Sequence, residues 1–170
     1  MNFWRRKSAV PAAQAVQLRG REQHPFTGLR GFTPQRSGEL RLYQAALRTC
    51  FTLENFDNLI KNGRMRPIVG TLLRSLGIHI IADATAEGTI HVADKARGVG
   101  KTYRAITALM KASKDCTDAE VVISHCENLE GAMALKRQIL ADLPVKQVDL
   151  LSCRGLTSFY AMEKGLIVGY

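Results

Sequence analysis

Between Val121 and Leu151 the sequence reads strand, helix, strand, and few folds accept that order. Val121-Val-Ile123 is a short apolar, β-branched run of the kind found in buried strands. Asn128 is a favoured helix N-cap, and Leu129 to Leu143 carries a helical stripe through Ala132, Leu135, Ile139 and Leu143. Val145–Leu151 reads as a second strand. A βαβ unit requires parallel strands and a right-handed crossover. If the two strands are neighbours, their carboxyl ends stand about 5 Å apart. Ser152, Cys153 and Arg154 then share an edge with His125, which falls where the first strand stops and the helix begins.

That edge is where open α/β sheets bind ligands. The first turn of the following helix has unpaired N–H groups and a positive dipole end, which favour an anion. An imidazole in that place suits a carboxylate or phosphate oxygen. A His at a strand end is also ordinary as a loop residue bonded to backbone or water, and position alone does not decide between the two.

The surrounding text extends the α/β pattern. Thr52 is a candidate N-cap for a helix with Glu54 in its first turn and Phe56, Leu59 and Ile60 on its apolar side; Gly63 is placed to stop it. Pro67 suits a first helical position, and Val69, Leu72, Leu73 and Leu76 follow helical spacing up to Gly77. Ile78–Asp83 and Thr89–Asp94 read as a hairpin joined through Ala86-Glu87-Gly88. A helix over Lys101–Ala112 buries Tyr103, Ile106, Leu109 and Met110; Gly155–Met162 is a short helix or turn, and Leu166–Tyr170 a closing strand. The expected fold class is α/β, a mixed sheet with flanking helices, over residues 40–170. Residues 1–39 lack periodicity and hold Pro11, Pro25 and Pro34; they read as an irregular basic leader, with one helical turn near Ala12–Leu18, and Leu40–Leu47 as a helix leading in.

The net charge of +9 is uneven, with eight Lys/Arg against two acids in residues 1–41. The high pI therefore reflects a basic arm rather than a basic stripe across the fold. Such an arm can touch nucleic acid or anionic lipid, but a solvated tail is the plainer reading, and no nucleic-acid partner is expected. No apolar run spans a bilayer, so stable membrane insertion is not expected. Arg5-Arg6 lacks the apolar core of a twin-arginine signal, and the Arg-rich start only faintly resembles a transit peptide. Cys50, Cys116, Cys126 and Cys153 form no C-x-x-C pair and read as reduced thiols of a cytoplasmic protein.

Several chemistries fail on spacing. Arg97-Gly-Val-Gly-Lys-Thr102 ends like a phosphate loop, but position 95 is Lys where the motif needs Gly. His125 and Cys153 are candidates for a thiolate–imidazole pair, with Arg154 lowering the thiol pKa, which leaves an acyl transferase or thioesterase as the alternative. No third orienting group is identifiable, and Phe159 stands where a cysteine phosphatase needs its arginine. His125, Cys126 and Cys153 lack the fourth ligand and spacing of a metal site, so none is expected. Arg64, after Gly63, and Arg97, before Gly98, stand at glycine corners that suit recognition of phosphate or carboxylate on a partner.

Four motifs in order carry a family likeness: Phe51-Thr-Leu-Glu-Asn-Phe-Asp-Asn-Leu-Ile-Lys-Asn-Gly-Arg-Met65, Lys95-Ala-Arg-Gly98, Ile123-Ser-His-Cys-Glu-Asn128 and Cys153-Arg-Gly-Leu-Thr-Ser-Phe-Tyr160. With the closing Gly165-Leu-Ile-Val-Gly-Tyr170 they resemble the DegV family from about Leu40 onward, specifically its C-terminal domain. The resemblance implies a fatty-acid-binding protein, not an enzyme, that holds a long-chain acyl group and presents it to a fatty acid kinase, which phosphorylates the carboxylate. It implies no cofactor beyond the fatty acid itself. It assigns the carboxylate to His125, with Asn128, Ser152 and Arg154 at the same edge, and kinase docking to Arg64 and Arg97. Leu72, Leu76 and Ile80 are expected along the acyl path.

The family's Thr/Ser-rich loop, which grips the carboxylate from an N-terminal domain, has no counterpart in residues 1–39. The expectation is a truncated member with half a site, weak in binding fatty acid alone. The face that would meet the other domain is expected to be bare and apolar, inviting self-association.

Overall fold

A computed structural model describes residues 42–65, 77–85 and 89–170. The leader, the helix expected over Pro67–Leu76 and the Ala86-Glu87-Gly88 connection lie outside the described residues, as does the start of the lead-in helix, of which residues 42–46 are helical.

The described chain runs β1 (Thr49–Leu53), α1 (Asp57–Lys61), β2 (Ile78–Ala84), β3 (Ile90–Arg97), α2 (Val99–Ser113), β4 (Glu120–His125), α3 (Leu129–Asp142), β5 (Gln147–Ser152), α4 (Leu156–Ala161) and β6 (Leu166–Gly169). The strands form one sheet in the order β3-β2-β1-β6-β4-β5. Among the described residues only β4 and β5 pair in parallel; the other neighbours are antiparallel. The architecture is thus the mixed α/β sheet with flanking helices that the sequence pattern implies.

Two apolar layers follow from strand alternation. On one face Val121, Ile123, Leu166 and Val168 pack under Ile106 and Met110 of α2 and Leu135 and Ile139 of α3. On the other, Leu53, Ile80 and Ala82 pack with Phe56 and Leu59 near α1 and with Ala161 of α4. A two-sided sheet needs both sets of apolar residues, which explains why Ile80-Ile81-Ala82 is buried without interruption.

One expectation is corrected here. Thr52 does not cap a helix; it lies within β1, paired with Ile81 on one side and Leu166 on the other. Thr49-Cys-Phe-Thr-Leu53 is a β-favouring run, and pairing on both sides of a central strand outweighs a local capping signal. The following helix starts later, at Asp57, whose N–H donates to Asn55 Oδ1 at 2.8 Å. Its end matches the glycine stop. Gly63 has φ +67°, its N–H donates to Ile60 O, and the Arg64 N–H donates to Leu59 O at 2.7 Å, a Schellman closure.

Candidate functional site

The βαβ unit places its residues at one edge. In the β4–β5 register His125 stands opposite Ser152, and the Cys153 N–H donates to His125 O at 2.7 Å. On its other side His125 pairs with Leu166, which in turn pairs with Thr52. Directly paired residues share a face, so Thr52, Leu166, His125 and Ser152 form one row beneath the face that α2 and α3 cover.

His125 is only 9% exposed, and its orientation is set by its own loop. The chain turns through Glu127 at φ +50°, which brings the Asn128 N–H to 3.4 Å from His125 Nδ1. An N–H donor there requires a lone pair on Nδ1, so the neutral ring carries its proton on Nε2. Among the described residues no hydrogen bond reaches Nε2. In that tautomer Nε2 is left as a donor.

Asn128 is held more tightly than the sequence suggests. Its Oδ1 accepts from the Gly131 N–H at 3.1 Å as the N-cap of α3, and its Nδ2 donates to Lys164 O at 2.9 Å. One amide hydrogen is left over. The residue fixes the helix start, the 162–165 loop and the His125 tautomer at once. Ser152 and Arg154 are exposed at the same edge; Arg154 O accepts from the Thr157 N–H at 3.2 Å as α4 begins.

Arg64 and Arg97 are not part of this cluster. Arg64 sits half-buried after the Gly63 corner, and Arg97 is exposed where β3 ends, next to Gly98 at φ +85°. Of the expected acyl-path residues, Ile80 is fully buried in the second apolar layer, whereas Leu72 and Leu76 lie outside the described residues.

The thiolate–imidazole pair is not assembled. Cys153 and Cys126 pack against the second apolar layer, while the register puts His125 on the face of the first. Burial, then the neighbouring Cys126, pushes the Cys153 thiol up to about 11, so Arg154 does not activate it as expected. A thiol in that state is protonated at neutral pH and a poor nucleophile. Among the described residues no group of three or more His, Cys, Asp or Glu is placed to hold a metal ion, and no helix is long and apolar enough to cross a membrane.

Two residues join the edge that sequence reasoning placed elsewhere. Thr52 Oγ1 is buried without a hydrogen-bond partner, in the His125 row. Tyr103 of α2 is buried, and its phenol is pushed up by burial and then by the charges of Glu130 and Glu54. A strand assignment for Phe51–Leu53 would have found Thr52; Tyr103 looks like any core aromatic on a helical stripe.

Known proteins bear on this arrangement. The family model described as "Uncharacterised protein, DegV family" matches residues 37–166. A DegV domain-containing protein of Streptococcus pneumoniae is 34% identical over 129 residues, which cover 75% of this chain and 45% of the relative. The crystal structure of the Streptococcus pneumoniae fatty acid kinase (Fak) B3 protein loaded with linoleic acid has a TM-score of 0.72 and 31% identity, over 83% of this chain and 50% of that one. A DegV family protein from Eubacterium eligens loaded with heptadecanoic acid has a TM-score of 0.75 and 25% identity, over 94% and 55%. The chain spans about half the length of the relatives it matches. With the family model matched over residues 37–166, most of its length, the chain belongs to the DegV family.

Proposed function

We propose that the chain supplies one side of a site for a long-chain fatty acid, with His125 Nε2–H donating to the carboxylate, and that the bound acid is presented to a partner fatty acid kinase. The observation that carries this reading is the Asn128 N–H on His125 Nδ1, which commits the free ring nitrogen to donation at a sheet edge. The similar proteins solved with linoleic and heptadecanoic acid support the ligand class. Ser152 and Arg154 flank the carboxylate, and Asn128 holds the imidazole in place. Arg64 and Arg97 are the docking positions for the kinase. The site calls for no metal, no cofactor and no catalytic residue, and we place the protein in the cytoplasm.

The energetics divide between tail and head. Each buried methylene contributes ~0.8 kcal/mol, so the acyl chain supplies most of the affinity. The hydrogen bond to the carboxylate adds about 1.5–3 kcal/mol and sets which end is presented. The chain spans about half the length of the relatives it matches and on this reading supplies one side of the site only, with weak binding by this chain alone as the expected consequence. Displacement of a fluorescent fatty acid tests this directly. Saturable binding at nanomolar concentration by the isolated monomer overturns the shared site. In a full-length family member carrying this chain as its second half, His125→Ala is expected to lower acyl-phosphate output about tenfold or more. Unchanged output removes His125 from the role.

A further inference from the structure

The edge that carries His125 also brings two thiols together. The β4–β5 register ends at His125 opposite Ser152, and the residues that follow are Cys126 and Cys153. One backbone hydrogen bond closes the β4–β5 ladder and two tie Cys126 to the segment before β6. The Cys153 N–H donates to His125 O at 2.7 Å, the Cys126 N–H to Gly165 O at 3.0 Å, and the Lys164 N–H to Cys126 O at 2.8 Å. Cys126 and Cys153 are the next residues along two paired strands, close enough that the charge of Cys126 acts on the Cys153 thiol. Both side chains pack against the same apolar layer and both are half-buried, in contrast to Cys50 and Cys116, which are buried in or against the opposite layer.

We propose that Cys126 and Cys153 are a thiol-pair modification site that takes up a reversible intramolecular disulfide by exchange with a small-molecule disulfide. Neighbouring strands lie about 4.8 Å apart, inside the Cα separation of about 4.4–6.8 Å that a disulfide spans. The bond also needs the two Cβ atoms to approach somewhat more closely than a parallel pair holds them. Both cysteines sit where the chain leaves the sheet, Cys126 before Glu127 at φ +50° and Cys153 two residues before Gly155 at φ +54°, just beyond the last β4–β5 pair.

The exchange balances in two steps. The Cys126 thiol loses its proton to solvent, and its thiolate attacks one sulfur of glutathione disulfide, forming a mixed disulfide and releasing one glutathione thiolate. The Cys153 thiol then loses its proton to solvent, and its thiolate attacks the Cys126 sulfur, forming the internal bond and releasing the second glutathione as a thiolate; the two protons lost reprotonate the two glutathione thiolates. Two protein thiols are oxidised and one glutathione disulfide is reduced. Burial holds both thiols above their ordinary range, to about 11 for Cys153, so the exchange quickens as pH rises. The proposal is independent of fatty-acid binding.

The test is incubation of the 170-residue chain with glutathione disulfide at mildly alkaline pH, followed by acid quench, alkylation, intact mass and peptide mapping without reduction. The expected product is monomeric, lighter by two hydrogens (about 2 Da), with Cys126 linked to Cys153. Cys153→Ser should stop at a glutathione adduct on Cys126, and Cys126→Ser should give no internal bond. A bond through Cys50 or Cys116, disulfide-linked dimers in place of the internal bond, or a folded chain that keeps both thiols throughout overturns the proposal. Circular dichroism on the same samples establishes that the chain is folded when the thiols are counted.

Discussion

Cys50 shows how much of the chain's pH response rests on single buried groups. It is fully buried, and burial followed by the nearby Asp83 charge pushes its thiol from 9.0 to about 12. The Tyr170 phenol is likewise pushed up to about 12, mainly by burial, although a 2.7 Å hydrogen bond with Ser113 opposes the shift. Both groups are neutral in the fold, while the unfolded chain ionises them near their ordinary pKa. Stability from them is therefore complete below about pH 9 and is lost as pH rises toward the folded values. Each contributes a slope of at most about 1.4 kcal/mol per pH unit in that window. Urea unfolding between about pH 8 and about pH 10.5 should show a falling midpoint. Cys50→Ala should start about 1–2 kcal/mol lower at neutral pH because it leaves a small cavity, yet fall less steeply. Parallel lines for the two proteins would show that the Cys50 thiol is not the source.

The βαβ unit was legible because every signal over Val121–Ser152 agreed: β-branched run, N-cap, helical stripe, second strand. β1 was not, because a strand buried in mid-sheet is defined by partners far along the chain, Ile81 and Leu166 for Thr52, and those partners leave no local mark. The same division runs through the site. The edge position of His125 followed from element order, whereas the N–H on its Nδ1 and the link from Asn128 to Lys164 depend on loop geometry. The start of α3 offers a way to separate these contributions. Asn128→Asp keeps a cap oxygen for the Gly131 N–H but loses the donor to Lys164 O; Asn128→Ala loses both. The Ala variant is expected to cost about 1–3 kcal/mol and the Asp variant about half as much. Chemical denaturation measures both. Equal losses would mean that the Lys164 tie, and not the cap, carries the stabilisation.

Taken together, the molecule buries both faces of its sheet yet leaves apolar side chains at the starts of its helices. Val99, Leu129 and Leu156 are the first residues of α2, α3 and α4, which follow the carboxyl ends of β3, β4 and β5, and all are 47–54% exposed. Met133, one turn along α3, and Phe159 of α4 continue the exposure. Scattered apolar residues on a surface are ordinary, but a rim of them along the edge that carries His125 is the kind of surface that associates. Because the chain spans about half the length of its relatives, we expect this rim to be covered by a second copy when the chain is alone. Sedimentation over a range of concentrations should show reversible self-association. Leu129→Lys combined with Leu156→Lys should shift it toward monomer while changing unfolding free energy by only about 0.5 kcal/mol, as expected for exposed positions. A chain that stays monomeric at high concentration, or a double variant that associates as strongly as the parent, would leave the rim without that role.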